Sequence, residues 1–181
     1  MKDWHTIDGY FEDVDQKDYD SLVWQIPHGG KMVEVGCYRG KSLGSIAQTI
    51  IDKDISVLAV DIFDIIYMPG YDAMPTLERS FDDFRDNIAE SGLSKNVKTL
   101  IQTRVGAARH EMGLGSKFDL IFLDADHSYK GIREDIESWW PLLKYGGILC
   151  GHDYRDDVEK YVKERFPIHT PMTSSIWYVI K

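Results

Sequence analysis

Four short apolar runs carry an acid or an imidazole at their C-terminal ends: KMVEVG at 31–36, ISVLAVD at 55–61, KFDLIFLDAD at 117–126 and GILCGHD at 147–153. A strand with one wet face alternates apolar and polar residues. These runs are nearly continuous, FDLIFL holding five apolar residues in six positions. Such strands are covered on both faces, as in a parallel sheet between two layers of helices.

The segments between the runs fit that layout. KSLGSIAQTIID, TLERSFDDFRDNIAESGL, SYKGIREDIESWW and DDVEKYVKERF place apolar residues at steps of three and four, the helical period. NVKTLIQ reads as a further strand and SIWYVIK as a closing one. Alternating strands and helices mean crossover connections. The expected fold is therefore α/β, a Rossmann-like doubly wound sheet. A single domain over residues 1–181 is expected, with 1–29 as an N-terminal helical extension. One piece is irregular, IFDIIYMPGYDAMP at 62–75, too long and aromatic for an ordinary connection. Its Tyr67, Met68 and Tyr71 suit a lid or a merely mobile loop equally.

The formal charge of −9 argues against nucleic acid or an anionic membrane as the main partner. No apolar run approaches the ~20 residues of a membrane span. The acidic start MKDWHTIDGYFEDVDQKDYD lacks the apolar core of a signal peptide. A cytoplasmic protein acting on a small molecule is expected, with self-association left open. The two cysteines, Cys37 and Cys150, read as reduced core residues at the ends of different strands.

Ligands of open α/β sheets bind beyond the carboxyl ends of the strands. There the sequence delivers Glu34 and Gly36, Asp61, Asp124 with Asp126 and His127, and His152 with Asp153. One such acid would be a helix cap; four strand ends together indicate a ligand site. In VEVGCYRGKS, Gly36 and Gly40 permit a tight turn. Tyr38 occupies the place where a dinucleotide-binding loop keeps glycine for close approach of a pyrophosphate. A carboxylate can still reach backbone N–H groups near Gly40 and Ser42, and Glu34 can hold an ammonium. Asp61, 25 residues after Gly36, stands at the usual distance for an acid that accepts from ribose hydroxyls. Ribose plus amino acid without diphosphate describes S-adenosyl-L-methionine better than NAD.

VEVGCYRGKS, AVDIF and FDLIFLDADHSY followed by GGILCGHDY resemble the class I S-adenosylmethionine-dependent methyltransferases. Within these they are similar to the small O-methyltransferase group of catechol, caffeoyl-coenzyme A and macrocin type. The resemblance covers roughly 30–181. It implies a seven-stranded sheet, mainly parallel with an antiparallel last strand. It also implies Glu34, Gly36, Tyr38, Gly40 and Ser42 at the methionine end, Asp61 at the ribose and Ile62 against the adenine. Asp124 stands where metal-dependent members place their first metal carboxylate. His152 and Asp153 stand where those members have Asp-Asn, so the implied ion set is Asp124, His152 and Asp153. Such a set binds Mg²⁺, Mn²⁺, Zn²⁺ or Fe²⁺, although a hard ion prefers oxygen ligands throughout. QTRVGAAR at 102–109 departs from the family; Arg104 or Val105 falls at the adenine position.

His127 is a general base or a capping histidine; His152 is a ligand, a base or a buried structural histidine. Asp126 is a cap or a second ligand. Methyl transfer to an alcohol requires the acceptor's proton to be removed or masked. A divalent ion at Asp124 and Asp153, with His127 or His152 taking the proton, would meet that need, and a sugar or catechol diol is the favoured acceptor. A nicotinamide dehydrogenase, a metal-dependent hydrolase and a non-catalytic binding protein are the rival readings.

Overall fold

The computed structural model describes residues 1–63 and 80–181. The loop tyrosines Tyr67 and Tyr71, Met68, and the N-terminal part of the helix expected from Thr76 lie outside the described residues.

Seven strands form one sheet in the order β3-β2-β1-β4-β5-β7-β6. They are β1 (Lys31–Val35), β2 (Ser56–Asp61), β3 (Val97–Ile101), β4 (Phe118–Leu123), β5 (Leu143–Gly151), β6 (Thr170–Pro171) and β7 (Trp177–Ile180). The first five pair in parallel, and β7 runs antiparallel to both β5 and β6. The seven-stranded, mainly parallel architecture is the one the family resemblance implies, with SIWYVIK supplying the antiparallel strand.

Helices α1 (Asp13–Val23), α2 (Lys41–Ser45), α3 (Ala47–Asp52) and α4 (Ser80–Glu90) pack on one face. Helices α5 (Arg104–Gly113), α6 (Tyr129–Trp139) and α7 (Asp156–Arg165) pack on the other. Side chains alternate faces along a strand. Met32, Phe122 and Cys150 therefore enter the first layer, while Val33, Ile121 and Leu149 enter the second. By the same parity Glu34, Asp124 and His152 fall on the α1 side.

Two local expectations are corrected, and one helix had no signal in the sequence. KSLGSIAQTIID is not one helix: Ile46, at φ −110° and ψ 14°, separates α2 from α3. The strand read from Gly147 begins earlier: β5 starts at Leu143, so Gly146 lies inside it, where the pairing with β4 shifts register and Gly146 takes φ +76°. Helix α5 has only Ala107, Ala108 and Glu111 buried, too weak a stripe to show as a period. Cys37 and Cys150 are free and buried, with β4 between their strands. Among the described residues no helix is long and apolar enough to cross a membrane.

Candidate active site

The sheet register brings the polar strand ends to one level. Val35, Leu123 and Gly151 are partners across β1, β4 and β5, and Val60 of β2 is opposite Val35. The next residue of each strand continues the ladder: Gly36 N–H donates to Val60 O (2.9 Å), Asp124 N–H to Val35 O (2.8 Å) and His152 N–H to Leu123 O (3.1 Å). Gly36, Asp61, Asp124 and His152 thus leave the sheet side by side.

The β1–α2 turn needs its glycine. Gly36 has φ +92°, and a Cβ there would lie 2.2 Å from the Asp124 carbonyl oxygen. Asp61 shapes the rest of the turn. Its Oδ2 accepts from the N–H groups of Cys37 (2.7 Å) and Tyr38 (2.8 Å), and its Oδ1 from Phe63 (2.8 Å). A carboxylate offers about four acceptor directions, so this half-exposed group retains room for one ligand donor. Tyr38 sits in the left-handed region at φ +44°. Gly40, at φ +80°, leads into α2 under the Phe84 ring. Ile62 is half-buried beside Asp61.

Glu34 is fully buried. Tyr19 of α1 donates its hydroxyl to Oε2 (2.9 Å) and Ser42 of α2 donates to Oε1 (2.6 Å). Burial pushes the Glu34 carboxyl up to about 8, against the opposing pull of the Ser42 and Tyr19 hydroxyls. In this arrangement Glu34 acts on the turn through Ser42, and Tyr19 is the partner that the sequence alone did not reveal.

Asp124, His152 and Asp153 each offer a ligand atom, all within 4.8 Å of one another. His127 lies between the two acids, with Nε2 3.3 Å from Asp124 Oδ1 and Nδ1 3.0 Å from Asp153 Oδ2. His152 Nδ1 is 3.6 Å from Asp124 Oδ1 and 3.7 Å from Asp153 Oδ2. Hydrogen bonds to Asp124 and Asp153 raise His127 to about 9. Burial pulls His152 down, yet the same two acids outweigh it and raise this imidazole to about 10. Asp124 is lowered: burial opposes ionisation, and the two imidazoles overcome it. Asp153 is held well below the carboxylate range, chiefly by its bonds to His127 and His152. With these partners both rings carry protons at neutral pH, and neither is a ready base. Asp153 also takes φ +53°, the left-handed region that costs a non-glycine residue roughly 1–2 kcal/mol and clusters at functional sites.

The donor set fits a divalent ion. Two acids of adjacent strands meet two imidazoles, and positive charge, as protons or as a metal, is what holds such a group together. Asp126 stands outside this set. Its Oδ1 accepts from Ser128 N–H, its Oδ2 is 3.1 Å from Arg104, and Ser128 caps α6. Arg104 also meets buried Asp135 at 2.8 Å. A residue absent from the sequence reading joins the site: Asp15 of α1, with Oδ1 3.3 Å from His152 Nε2. It is one of seven acids in the first 20 residues, and nothing local distinguished it from solvated charge.

A family model described as a methyltransferase domain matches residues 33–154. No curated protein matches the chain. The fold is shared with a candidate caffeoyl-CoA O-methyltransferase from Staphylococcus aureus (TM-score 0.69, 15% identity, 98% of this chain and 87% of that one). It is also shared with an O-methyltransferase from Bacillus cereus in complex with SAH (TM-score 0.67, 16% identity, 95% and 83%). A TDP-rhamnose 3'-O-methyltransferase of calicheamicin biosynthesis superposes at TM-score 0.64 (15% identity, 92% and 78%). The turn, the strand-end acids and the matched span agree: this chain belongs to the methyltransferase-domain family and has the Rossmann-like fold of the class I O-methyltransferases.

Proposed function

We propose that the protein transfers the methyl group of S-adenosyl-L-methionine to a hydroxyl of a small diol-bearing acceptor, with a divalent ion at Asp124, His152 and Asp153. The observation that carries this reading is the shared register of β1, β4 and β5, which sets the Gly36–Ser42 turn beside the Asp124 cluster.

The turn accounts for the donor. Ser42, held by Glu34, presents its hydroxyl where α2 begins, and Asp61 keeps an acceptor direction for ribose. Tyr38 closes the approach that a pyrophosphate would need, which disfavours NAD. The acid–imidazole cluster accounts for the acceptor. An ion bound there lowers the pKa of a coordinated hydroxyl and orients it. Asp124 and Asp153 fix that position from adjacent strands, and His127, held between them, is placed to receive a proton once those acids are otherwise engaged. The imidazole of His152 shifts the ligand set away from pure oxygen, so Mn²⁺, Fe²⁺ or Zn²⁺ suit it better than Mg²⁺. The adjacent hydroxyls of a catechol or sugar are the natural chelating acceptor, and the likeness to a sugar O-methyltransferase supports that class.

Methyl transfer to catechol and to sugar diols, assayed with and without chelator, tests the reading. Ion-dependent methylation of a diol is expected. Calorimetry should show binding of S-adenosylhomocysteine and none of NAD. Tight NAD binding, or no binding of either S-adenosylmethionine or S-adenosylhomocysteine, overturns it.

A further inference from the structure

Helix α1 and the residues just before it lie outside the span that the methyltransferase family model matches, yet they send Phe11 and Asp15 toward His152. Phe11, just before α1, packs its ring 5.5 Å from the His152 ring, centroid to centroid. Asp15 comes within 3.3 Å of His152 Nε2, and both side chains are less than one-tenth exposed. The two nitrogens of His152 thus face different acids, Nδ1 toward Asp124 and Asp153, Nε2 toward Asp15.

Asp15 is itself anchored. Its Oδ2 accepts from Glu12 N–H (3.0 Å), which completes the capping box of α1. Its Oδ1 accepts from the Ser175 hydroxyl (3.4 Å), 160 residues away in the chain. Buried His152 Nε2 has no aligned hydrogen bond, and the Asp15 carboxylate is the acid at ion-pair distance from it. Histidine ligands commonly donate their second ring N–H to a carboxylate, which fixes tautomer and ring orientation and contributes ten- to a hundredfold in metal affinity.

We infer that Asp15 is the positioning residue of His152: it holds the proton on Nε2, turns Nδ1 toward Asp124 and Asp153, and sets how tightly the site holds a divalent ion. The inference rests on the ion site proposed above. On this view α1 is part of the site's construction, and the ion reports whether the N-terminal helix is docked.

Calorimetric titration of the full chain with Mn²⁺ tests it, with Asp15→Asn as the main variant. Asparagine keeps one oxygen for the Glu12 cap and turns an amide N–H₂, which cannot accept, toward His152. Mn²⁺ affinity should fall by about ten- to a hundredfold, while S-adenosylhomocysteine affinity and melting temperature change little. In the Zn²⁺-loaded wild type, long-range ¹H–¹⁵N spectra should show the His152 proton on Nε2. Equal Mn²⁺ affinity in Asp15→Asn overturns the inference and leaves the ion site standing; a His152 proton on Nδ1 overturns the inference and removes His152 from the ion's ligands. A wild type that binds neither ion overturns both. Should Asp15→Asn misfold, Ser175→Ala decides. It loosens Asp15 without touching the cap, and a weaker Mn²⁺ affinity supports the inference where an unchanged one overturns it.

Discussion

Gly36 and Asp124 are in backbone contact: a Cβ built on Gly36 would stand 2.2 Å from the Asp124 carbonyl oxygen and 2.6 Å from its carbonyl carbon. The β1–α2 turn and the acid cluster therefore share one backbone junction. Gly36→Ala should destabilise the protein by more than about 2 kcal/mol, strain at φ +92° adding to a clash that backbone alone must relieve. Gly115→Ala is the control. It has positive φ but nothing within 4 Å of its Cβ, and should cost only about 1–2 kcal/mol. Urea unfolding of both variants decides; equal losses would show that the junction is not tight.

Asp61 anchors the turn with both oxygens. Asp61→Ala leaves the N–H groups of Cys37, Tyr38 and Phe63 without their acceptor. Each buried donor left unsatisfied costs roughly 1–3 kcal/mol. S-adenosylhomocysteine binding should weaken at least tenfold, with a measurable drop in melting temperature. Calorimetry showing unchanged affinity would remove Asp61 from the donor site.

Glu34 makes stability depend on pH. Burial raises its folded-state pKa from about 4.5 to about 8. Between those values the folded chain keeps a proton that the unfolded chain has released. Stability therefore falls as pH rises from about 5 to about 8, by up to about 1.4 kcal/mol per unit from this group. Glu34→Gln keeps the packing and removes the titration. The difference in urea midpoint between wild type and variant should change steadily across pH 5–8; a constant difference refutes the assignment.

The proposed function puts Asp124 on the acceptor side. Asp124→Asn should abolish turnover on an alcohol acceptor while leaving S-adenosylhomocysteine affinity within a few-fold. Chelator should silence the wild type likewise, and added Mn²⁺ should restore it. Methylation at full rate in excess chelator would end the ion reading. A base acting alone would then have to be an imidazole freed from the two acids that now hold its proton.

The strand ends were legible because their signal is local. A run such as FDLIFL closing on Asp124, or SVLAVD closing on Asp61, declares both a doubly covered strand and the polar residue that follows it. Period-two alternation then determines which face Glu34, Asp124 and His152 take. The Gly36 turn, the α/β class, the closing strand and the free thiols of Cys37 and Cys150 follow from such short-range patterns, whereas the antiparallel run of that strand was implied by the family resemblance. Helix α5 escaped because it buries little, and the break at Ile46 because an apolar period runs straight through it. The partners of the site residues escaped for a different reason. Tyr19 beneath Glu34, the Cys37 and Tyr38 amides on Asp61, and Asp15 behind His152 lie 15 to 137 positions away along the chain. Sequence determined which chemical groups reach the edge of the sheet. Only tertiary packing decided what stands behind each of them, because burial and hydrogen bonding between distant segments are set by how α1 docks on the sheet, and no local pattern encodes that.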